Sequence, residues 1–343
     1  MSIEKKILGA DKCFIIAEVA QAHDGSLGTA HAFIDAAKHA GADSIKFQTH
    51  IASEESTLQE QWRVKFSYQD VTRYDYWKRM EFTEEQWAGL KKHAEDNGLV
   101  FLSSPFSVKA VEMLDKMGME AWKIASGEIT NLPMLEQIFK TRKPLLISSG
   151  MSDLEETESL VEKIRSNNIP FALLQCTSSY PTPPEKVGLN VMEEFRSRFE
   201  CPVGLSDHSG KINPALAAAT LGMNVLEVHI TLDRYMFGPD VVASVTTEEF
   251  RQMTEGVRFI EAMMSSPVLK DKTAGEMKTM RNLFNKSIVA RSSIAAGTIL
   301  EQKHLAFKKP GIGMPAAMYK DVIGKKLLIS VEADHFFSKE DIS

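Results

Sequence analysis

The sequence predicts a (β/α)₈ barrel followed by a small β-rich domain. Three observations carry this: short apolar runs alternate regularly with amphipathic segments, there are eight such runs, and the rhythm stops after about residue 264. Continuous apolar strands separated by helix-length segments imply a parallel sheet covered by helices. Eight βα units in about 250 residues is the size of a closed barrel. A doubly wound open sheet is the alternative, but the first strand lacks the GxGxxG turn that such a fold carries when it binds dinucleotides.

The eight candidate strands are CFIIAEV, SIKFQT, LVFLSS, AWKIAS, PLLISS, FALLQCT, PVGLSDH and VLEVHIT. Between them lie helical patterns such as LGTAHAFIDAAKHAGA, TEEQWAGLKKHAEDNG and SVKAVEMLDKMG, several ending in the glycine expected at a helix C-terminus. One connection is long. Residues 51–80, after the second strand, are rich in aromatic and basic side chains, which reads as a lid or a subunit contact rather than disorder. The boundaries that follow are residues 1–265 for the barrel, 266–284 for a polar linker and 285–343 for a second domain with short strands and glycine turns. A domain of that size is marginal alone and is expected to pack on a barrel, its own or a partner's.

A net charge of −6 gives no general attraction to nucleic acid or to an anionic membrane, so an anionic substrate needs a local basic pocket. The three cysteines, Cys13, Cys176 and Cys201, show no metal-type spacing and sit in apolar runs, which suits a reducing compartment and a core-filling role. No signal peptide and no membrane-spanning run is evident. The expected location is the cytoplasm.

In a barrel the C-terminal ends of the strands form the active face. Polar residues fall at those ends: Glu18, Lys46 with Gln48, Ser104, Lys123 with Ser126 and Glu128, Ser148, Tyr180, Ser206 with His208, and His229. The last two strands end in His208 and His229 on either side of an alanine-rich helix. Adjacent parallel strands lie about 5 Å apart, so both imidazoles can converge on one ion or one anion. A metal pair with open positions for water and substrate suits Lewis-acid chemistry, and Mn²⁺, Zn²⁺, Fe²⁺ or Co²⁺ all accept imidazole with oxygen ligands. Lys46 and Lys123 lie inside apolar strands, a costly place unless each faces an anion or a carboxylate. With the serine hydroxyls of Ser104, Ser126, Ser148 and Ser206 they read as a cradle for phosphate and carboxylate. The alternatives are ion pairs with Glu18 or Glu128, or a Schiff-base role for a lysine. Glu18 is either an acid/base group or a positioning partner for a lysine.

The motifs IIAEVAQAHDGS, AGADSIKFQTH, FLSSPFS, WKIASGE, LISSGM, LLQCTSSYPTP, VGLSDHS, EVHITLD and GPD, with SIVARSSIAAGTIL, KKPGIG and VIGKK further on, resemble the sialic acid synthase family in the same order over nearly the whole chain. These are phosphoenolpyruvate-condensing nonulosonate synthases, and the C-terminal part is similar to their antifreeze-like (SAF) domain. The resemblance implies condensation of phosphoenolpyruvate with an open-chain N-acylated mannosamine-type sugar, with release of phosphate. It implies His208 and His229 as ligands of a divalent metal, Mn²⁺ favoured over Mg²⁺ or Co²⁺. It implies Lys46, Ser104, Lys123, Ser126, Ser148 and Ser206 around phosphoenolpyruvate, and Glu18 beside the reacting carbons. Gln48, Glu128, Ser178, Tyr180, Asp240 and Lys309 are then the sugar-side residues, and a domain-swapped homodimer is the expected assembly.

Three departures fall on the sugar side. Ala22 stands where the family usually has Asn, Ser178 where N-acetylneuraminate synthases have Asn, and Lys309 where the antifreeze-like domain usually presents Arg. Lysine keeps the charge and loses the bidentate fork. A legionaminic-type or spore-coat-type sugar is therefore a rival acceptor. The competing functions are a related 3-deoxy-sugar-acid synthase or aldolase, and a carbohydrate-binding protein without turnover.

Overall fold

The computed structural model describes residues 3–9 and 12–343. They form two compact units that divide after Ser265. The first is the expected barrel. Its strands are β1 (Phe14–Ala20), β2 (Ser44–Thr49), β3 (Val100–Pro105), β4 (Trp122–Ile124), β5 (Leu145–Ser148), β6 (Phe171–Cys176), β7 (Val203–Asp207) and β8 (Val225–Thr231). Pairing is parallel and runs β3-β2-β1-β8-β7-β6-β5-β4, with β3 beside β4, so the barrel is nearly closed. A two-residue strand, β9 (Val245–Thr246), pairs in parallel with the end of β8, at Ile230 and Thr231.

A helix follows each strand, from Leu27–His39 after β1 to Thr247–Met264 after β8. The sequence starts these helices with oxygen side chains that take up orphan N–H groups. Ser26, Ser107, Asn131 and Asp153 each accept from the amide three residues on, and Thr83 with Gln86 and Thr246 with Glu249 form reciprocal capping boxes. The apolar faces of the helices meet the outward side chains of the strands, such as Ile15, Ala17, Ile45 and Leu173, in one continuous core.

Alternate residues of each strand point inward, and the inward rows change character along their length. At the lower end, Phe14 and Ile16, Val100 and Leu102, Ala121, Leu146, Ala172 and Leu174, and Val225 fill the barrel interior as a separate apolar cluster. Two residues further on, the same rows become Glu18, Ser104, Lys123, Ser148, Cys176 and Glu227. The apolar plug closes the bottom of the barrel, and the polar residues sit on it.

Gly204 on β7 lies opposite Val225 on β8, and a Cβ at this position would come 2.1 Å from the Val225 carbonyl oxygen. The two strands that carry the histidines therefore approach one another only because residue 204 has no side chain. β1 is irregular just past Glu18: its register against β2 slips between Glu18 and Ala20, and Ala20 adopts φ 48°.

The insertion at residues 51–80 is ordered around its own contacts. It holds the helices Ala52–Glu55 and Arg73–Met80, the latter begun by a Thr72–Asp75 capping box. Arg79 ties the segment down, with its guanidinium 2.7 Å from both Asp70 and Asp24.

The second unit has its own core of Ile288, Ile294, Leu300, Leu305, Val322, Leu327 and Phe337. Its antiparallel pair is β10 (Ser287–Ala290) and β11 (Leu305–Lys308). The polar stretch 266–284 holds the short helices Lys270–Glu276 and Lys278–Phe284 and falls within this unit. No helix among the described residues is long and apolar enough to cross a membrane.

Two stability predictions follow from these contacts. Gly204→Ala should cost about 1–3 kcal/mol, the usual penalty for overpacking, read as a lower midpoint in chemical denaturation. At Asp70, hydrogen bonds from Arg79 hold the carboxyl below its ordinary range, and burial works the other way. A depressed carboxyl contributes stability that is full above the unfolded value of about 4 and is lost as pH falls through the folded value. The difference in midpoint between the unaltered protein and Asp70→Asn should thus be largest near pH 7 and shrink toward pH 3. A difference that stays constant with pH would show that the ion pair contributes nothing.

Candidate active site

The strand ends and the insertion enclose a cavity of about 500 Å³. Its floor is a chain of alternating charges. Lys46 Nζ lies 2.8 Å from Glu18 and 3.7 Å from Glu227, and Lys123 Nζ lies 3.5 Å from the same oxygen of Glu227. All four groups are buried, none more than 4% exposed. Lys46 also donates to Ser104 Oγ (3.2 Å), Lys123 to Ser148 Oγ (2.8 Å), and Ser206 to Glu227 (3.3 Å).

Burial disfavours every one of these charges, and the partners decide the outcome. For Lys46, burial is outweighed by the Glu18 and Glu227 carboxylates, and its ammonium is held above the ordinary range. For Glu227, burial is outweighed by Lys123 and Lys46, which hold its carboxyl below the ordinary range. Glu18 goes the other way: burial pushes it up to about 7, with Lys46 only partly restoring the charged form. Lys123 is lowered, because burial exceeds what Glu227 returns. A carboxyl that titrates near neutrality can both take and give a proton at working pH.

Above this floor sits the histidine pair. The rings of His208 and His229 lie 5.1 Å apart. His208 Nδ1 is 2.9 Å from the Thr177 carbonyl oxygen, which can only accept, so Nδ1 carries a proton. Burial works against the charged ring, but Cys176 and the Thr177 carbonyl outweigh it and hold His208 above its ordinary value. Its Nε2 faces the Tyr180 hydroxyl at 3.1 Å. Burial, then His208 and the two lysines, keeps His229 well below its ordinary value and therefore neutral. Its Nδ1 is buried with no hydrogen-bond partner. A neutral imidazole with an unpartnered nitrogen, beside one whose N–H is tied to a carbonyl, fits the donor set of a divalent metal.

Along the wall between β5 and β6, Gly150 leaves a hollow. A Cβ there would lie 2.6 Å from Ser178 Oγ, 2.7 Å from Cys176 Sγ and 2.9 Å from Ser126 Oγ. The Gly150 amide donates to Ser126 Oγ at 3.2 Å. Three small polar groups around an uncovered backbone segment suit the oxygens of an anion.

The structure brings nearly all the expected residues together. Glu18, Lys46, Gln48, Lys123, Ser126, Glu128, Ser148, Ser178, Tyr180, Ser206, His208, His229 and Asp240 all line the cavity. Ser104 does not; it lies behind Lys46, because the long lysine side chain covers it, and it holds the ammonium rather than the solvent-facing wall. Lys309 belongs to the second unit, just after β11, with its ammonium 4.9 Å from the Phe284 ring centroid. Cys176 is not a core filler as its apolar setting suggested. It shares the inward row with Leu174, lines the cavity, and places its sulfur 3.9 Å from His208 Nδ1.

Sequence reasoning missed Glu227. The signal was present in VLEVHIT, where Glu227 stands two residues before His229 and so shares its face. The insertion does cover the mouth, as the lid reading expected, but the residues that form this outer wall, Glu60, Trp62, Arg63, Arg73 and Trp77, were not singled out. Arg63 places its guanidinium 4.7 Å from the centre of the Tyr180 ring.

With this geometry established, the similarities of the chain can be set beside it. Residues 33–268 match the NeuB family and residues 285–343 match the SAF domain. The chain is 36% identical to the N-acetylneuraminate-9-phosphate synthase of Homo sapiens, over 97% of this chain and 93% of that protein. It is 34% identical to the N,N'-diacetyllegionaminic acid synthase of Campylobacter jejuni, over 92% of this chain and 95% of that one. Among solved structures, the N-acetylneuraminic acid synthetase of Leptospira borgpetersenii, in complex with citrate, superposes with a TM-score of 0.69 at 29% identity, covering 78% of this chain and 91% of that one. A barrel with an anion cradle below a histidine pair, matched over most of its length, places this chain in the NeuB family of sialic-type acid synthases.

Proposed function

We propose that this enzyme condenses phosphoenolpyruvate with an open-chain N-acylated mannosamine-type sugar to give a nine-carbon nonulosonic acid and phosphate. The observation that carries the reading is the buried Glu18–Lys46–Glu227–Lys123 chain with serine hydroxyls beside it, directly below the histidine pair. In the reaction, carbon 3 of phosphoenolpyruvate forms a bond to the aldehyde carbon, water adds at carbon 2, and the carbon 2–oxygen bond to phosphate breaks.

Lys46 and Lys123, with Ser126, Ser148, Ser206 and the hollow at Gly150, hold the carboxylate and phosphate oxygens of phosphoenolpyruvate by charge-assisted hydrogen bonds. Glu18, poised near neutrality, orients the incoming water and takes its proton. The apolar plug beneath keeps bulk water from the floor, so these charges act in a low dielectric. His208 and His229 would hold a divalent metal, Mn²⁺ before Mg²⁺ or Co²⁺, which supplies Lewis-acid polarisation of the aldehyde oxygen when bound. Gln48, Glu128, Ser178, Tyr180 and Asp240 face the sugar, with Lys309 reaching it from a partner chain in a homodimer. Exposed apolar side chains on the last barrel helix, Phe259, Met263 and Met264, support an assembly that covers them.

A second reading of the acceptor is favoured by Ser178, which is shorter than asparagine beside the hollow at Gly150 and leaves space for a second acylated substituent. On that reading the sugar is a 2,4-diacetamido-trideoxy mannose, as for a legionaminic-type product, or a spore-coat-type precursor.

The test is phosphate release from phosphoenolpyruvate with Mn²⁺ across N-acetylmannosamine, its 6-phosphate, the 2,4-diacetamido-trideoxy analogue, mannose and arabinose 5-phosphate. Turnover with one N-acylated mannose is expected and names the product. Turnover only with arabinose 5-phosphate would move the enzyme to the 3-deoxy-sugar-acid synthases, and sugar binding with no phosphate release would indicate a binding protein. His208→Ala should abolish metal-dependent turnover and weaken Mn²⁺ binding in calorimetry while the circular dichroism spectrum stays unchanged. Unaltered activity in that variant would sink the metal assignment.

A further inference from the structure

His50 follows β2 immediately and is 5% exposed. Its ring is clamped between Trp77 of the insertion (4.1 Å, 17°) and Phe106 after β3 (4.3 Å, 15°). Both faces are covered, so the ring can address other groups only through its edge. One edge nitrogen, Nδ1, lies 2.5 Å from Glu55 of the insertion; the other, Nε2, lies 3.3 Å from Gln48 Oε1. The second oxygen of Glu55 accepts from the Ile51 amide at 3.3 Å. Beyond Gln48 the series continues inward, because Gln48 Nε2 donates to Glu18 at 3.2 Å.

The donor directions of this series are determined by its ends. With Glu18 ionised, its oxygen facing Gln48 accepts, so the amide turns its NH₂ inward and its oxygen outward. His50 Nε2 is then the donor to that oxygen. At the other edge, Nδ1 meets the Glu55 carboxylate. Reversing the amide would set its oxygen against the ionised Glu18 carboxylate. One N–H of Gln48 is used by Glu18, and the second remains for the cavity that Gln48 lines.

We propose that His50 and Glu55 form a positioning pair that locks the Gln48 amide, so that it steadies Glu18 and presents a donor, not an acceptor, to an oxygen of the sugar. This rests on the condensation reading above and adds to it two residues that no strand of the barrel supplies. Both also line the outer part of the cavity, and the lock is the part of their action that passes through Gln48. A purely structural role, in which His50 only fastens the insertion to β2, needs the ring stack but not the two edge contacts.

The test separates the two. His50→Phe keeps the stack and removes both edge contacts. On the positioning reading, kcat falls about 10- to 100-fold, the effect of losing a charge-assisted hydrogen bond, while KM for phosphoenolpyruvate and the melting temperature stay near those of the unaltered enzyme. Glu55→Gln, which still accepts from Nδ1, should fall between the two. In a Gln48→Ala background, most of the effect of His50→Phe should disappear, because the amide that the lock acts on has gone. Wild-type kcat in His50→Phe, or its full loss added on top of Gln48→Ala, overturns the proposal. If His50→Phe does not fold, Glu55→Gln and Glu55→Ala carry the same cycle. If the unaltered enzyme turns over no sugar of the panel, the condensation reading fails, and the lock is read without turnover. The side-chain amide of Gln48, assigned in ¹⁵N spectra by its disappearance in Gln48→Ala, should then exchange slowly with solvent and become fast in His50→Phe. An amide unchanged by that substitution overturns the lock.

Discussion

Two lysines inside a barrel are tolerable only because two glutamates lie between and beside them. Taking one ion from water into a protein interior costs several kcal/mol even after relaxation, and only close partners and hydrogen bonds return it. Here each charge has its opposite: Lys46 stands between Glu18 and Glu227, and Glu227 stands between Lys46 and Lys123. The four groups come from β1, β2, β8 and β4. Every closed-barrel feature serves that arrangement. The plug of Phe14, Ile16, Leu102, Leu146, Leu174 and Val225 beneath it excludes water, and the close approach of β7 to β8 at Gly204 brings Ser206 within reach of Glu227.

Together the four groups are formally neutral, as two ammoniums and two carboxylates, and that neutrality has chemical meaning. A neutral floor can persist without ligand, so the cradle needs no bound ion to fold. When an anion draws the ammoniums upward, the carboxylates lose part of their compensation. Glu18, already held up to about 7 by burial, is the group that answers to such a change. Its neighbour Glu227 is held low by two lysines and stays a fixed charge. Two carboxylates a few ångströms apart thus take different parts, one proton-exchanging and one electrostatic, as their surroundings dictate.

Much of this was legible in the sequence because a parallel barrel converts strand position into spatial position. A residue at the C-terminal end of any apolar run reaches the same mouth, so Glu18, Lys46, Lys123, His208 and His229 could be gathered without knowing any contact. What strand position does not encode is depth: Ser104 reads like Ser148, yet Lys46 lies over it. Nor does an apolar setting distinguish an inward cysteine from an outward one, which is why Cys176 looked inert. Glu227 was readable from the two-residue repeat with His229. The insertion was readable as an ordered lid but not in its contacts, since Arg79 bridging Asp24 and Asp70, and His50 between Trp77 and Phe106, depend on chain reversals that carry no periodic signal.

The cavity therefore has two kinds of wall. The floor is woven from alternate residues of the barrel strands, so altering it disturbs the packing of the entire domain. The outer face, with Glu60, Trp62, Arg63, Arg73 and Trp77, comes from one contiguous stretch between β2 and β3. Point changes at Glu60, Trp62, Arg63 and Arg73 can reshape the rim without unsettling the floor, whereas Glu55 and Trp77 of the same stretch reach back through His50 and Gln48 to Glu18. The geometry thus leaves, within one short stretch of chain, a part free to diversify beside two residues tied to the chemistry.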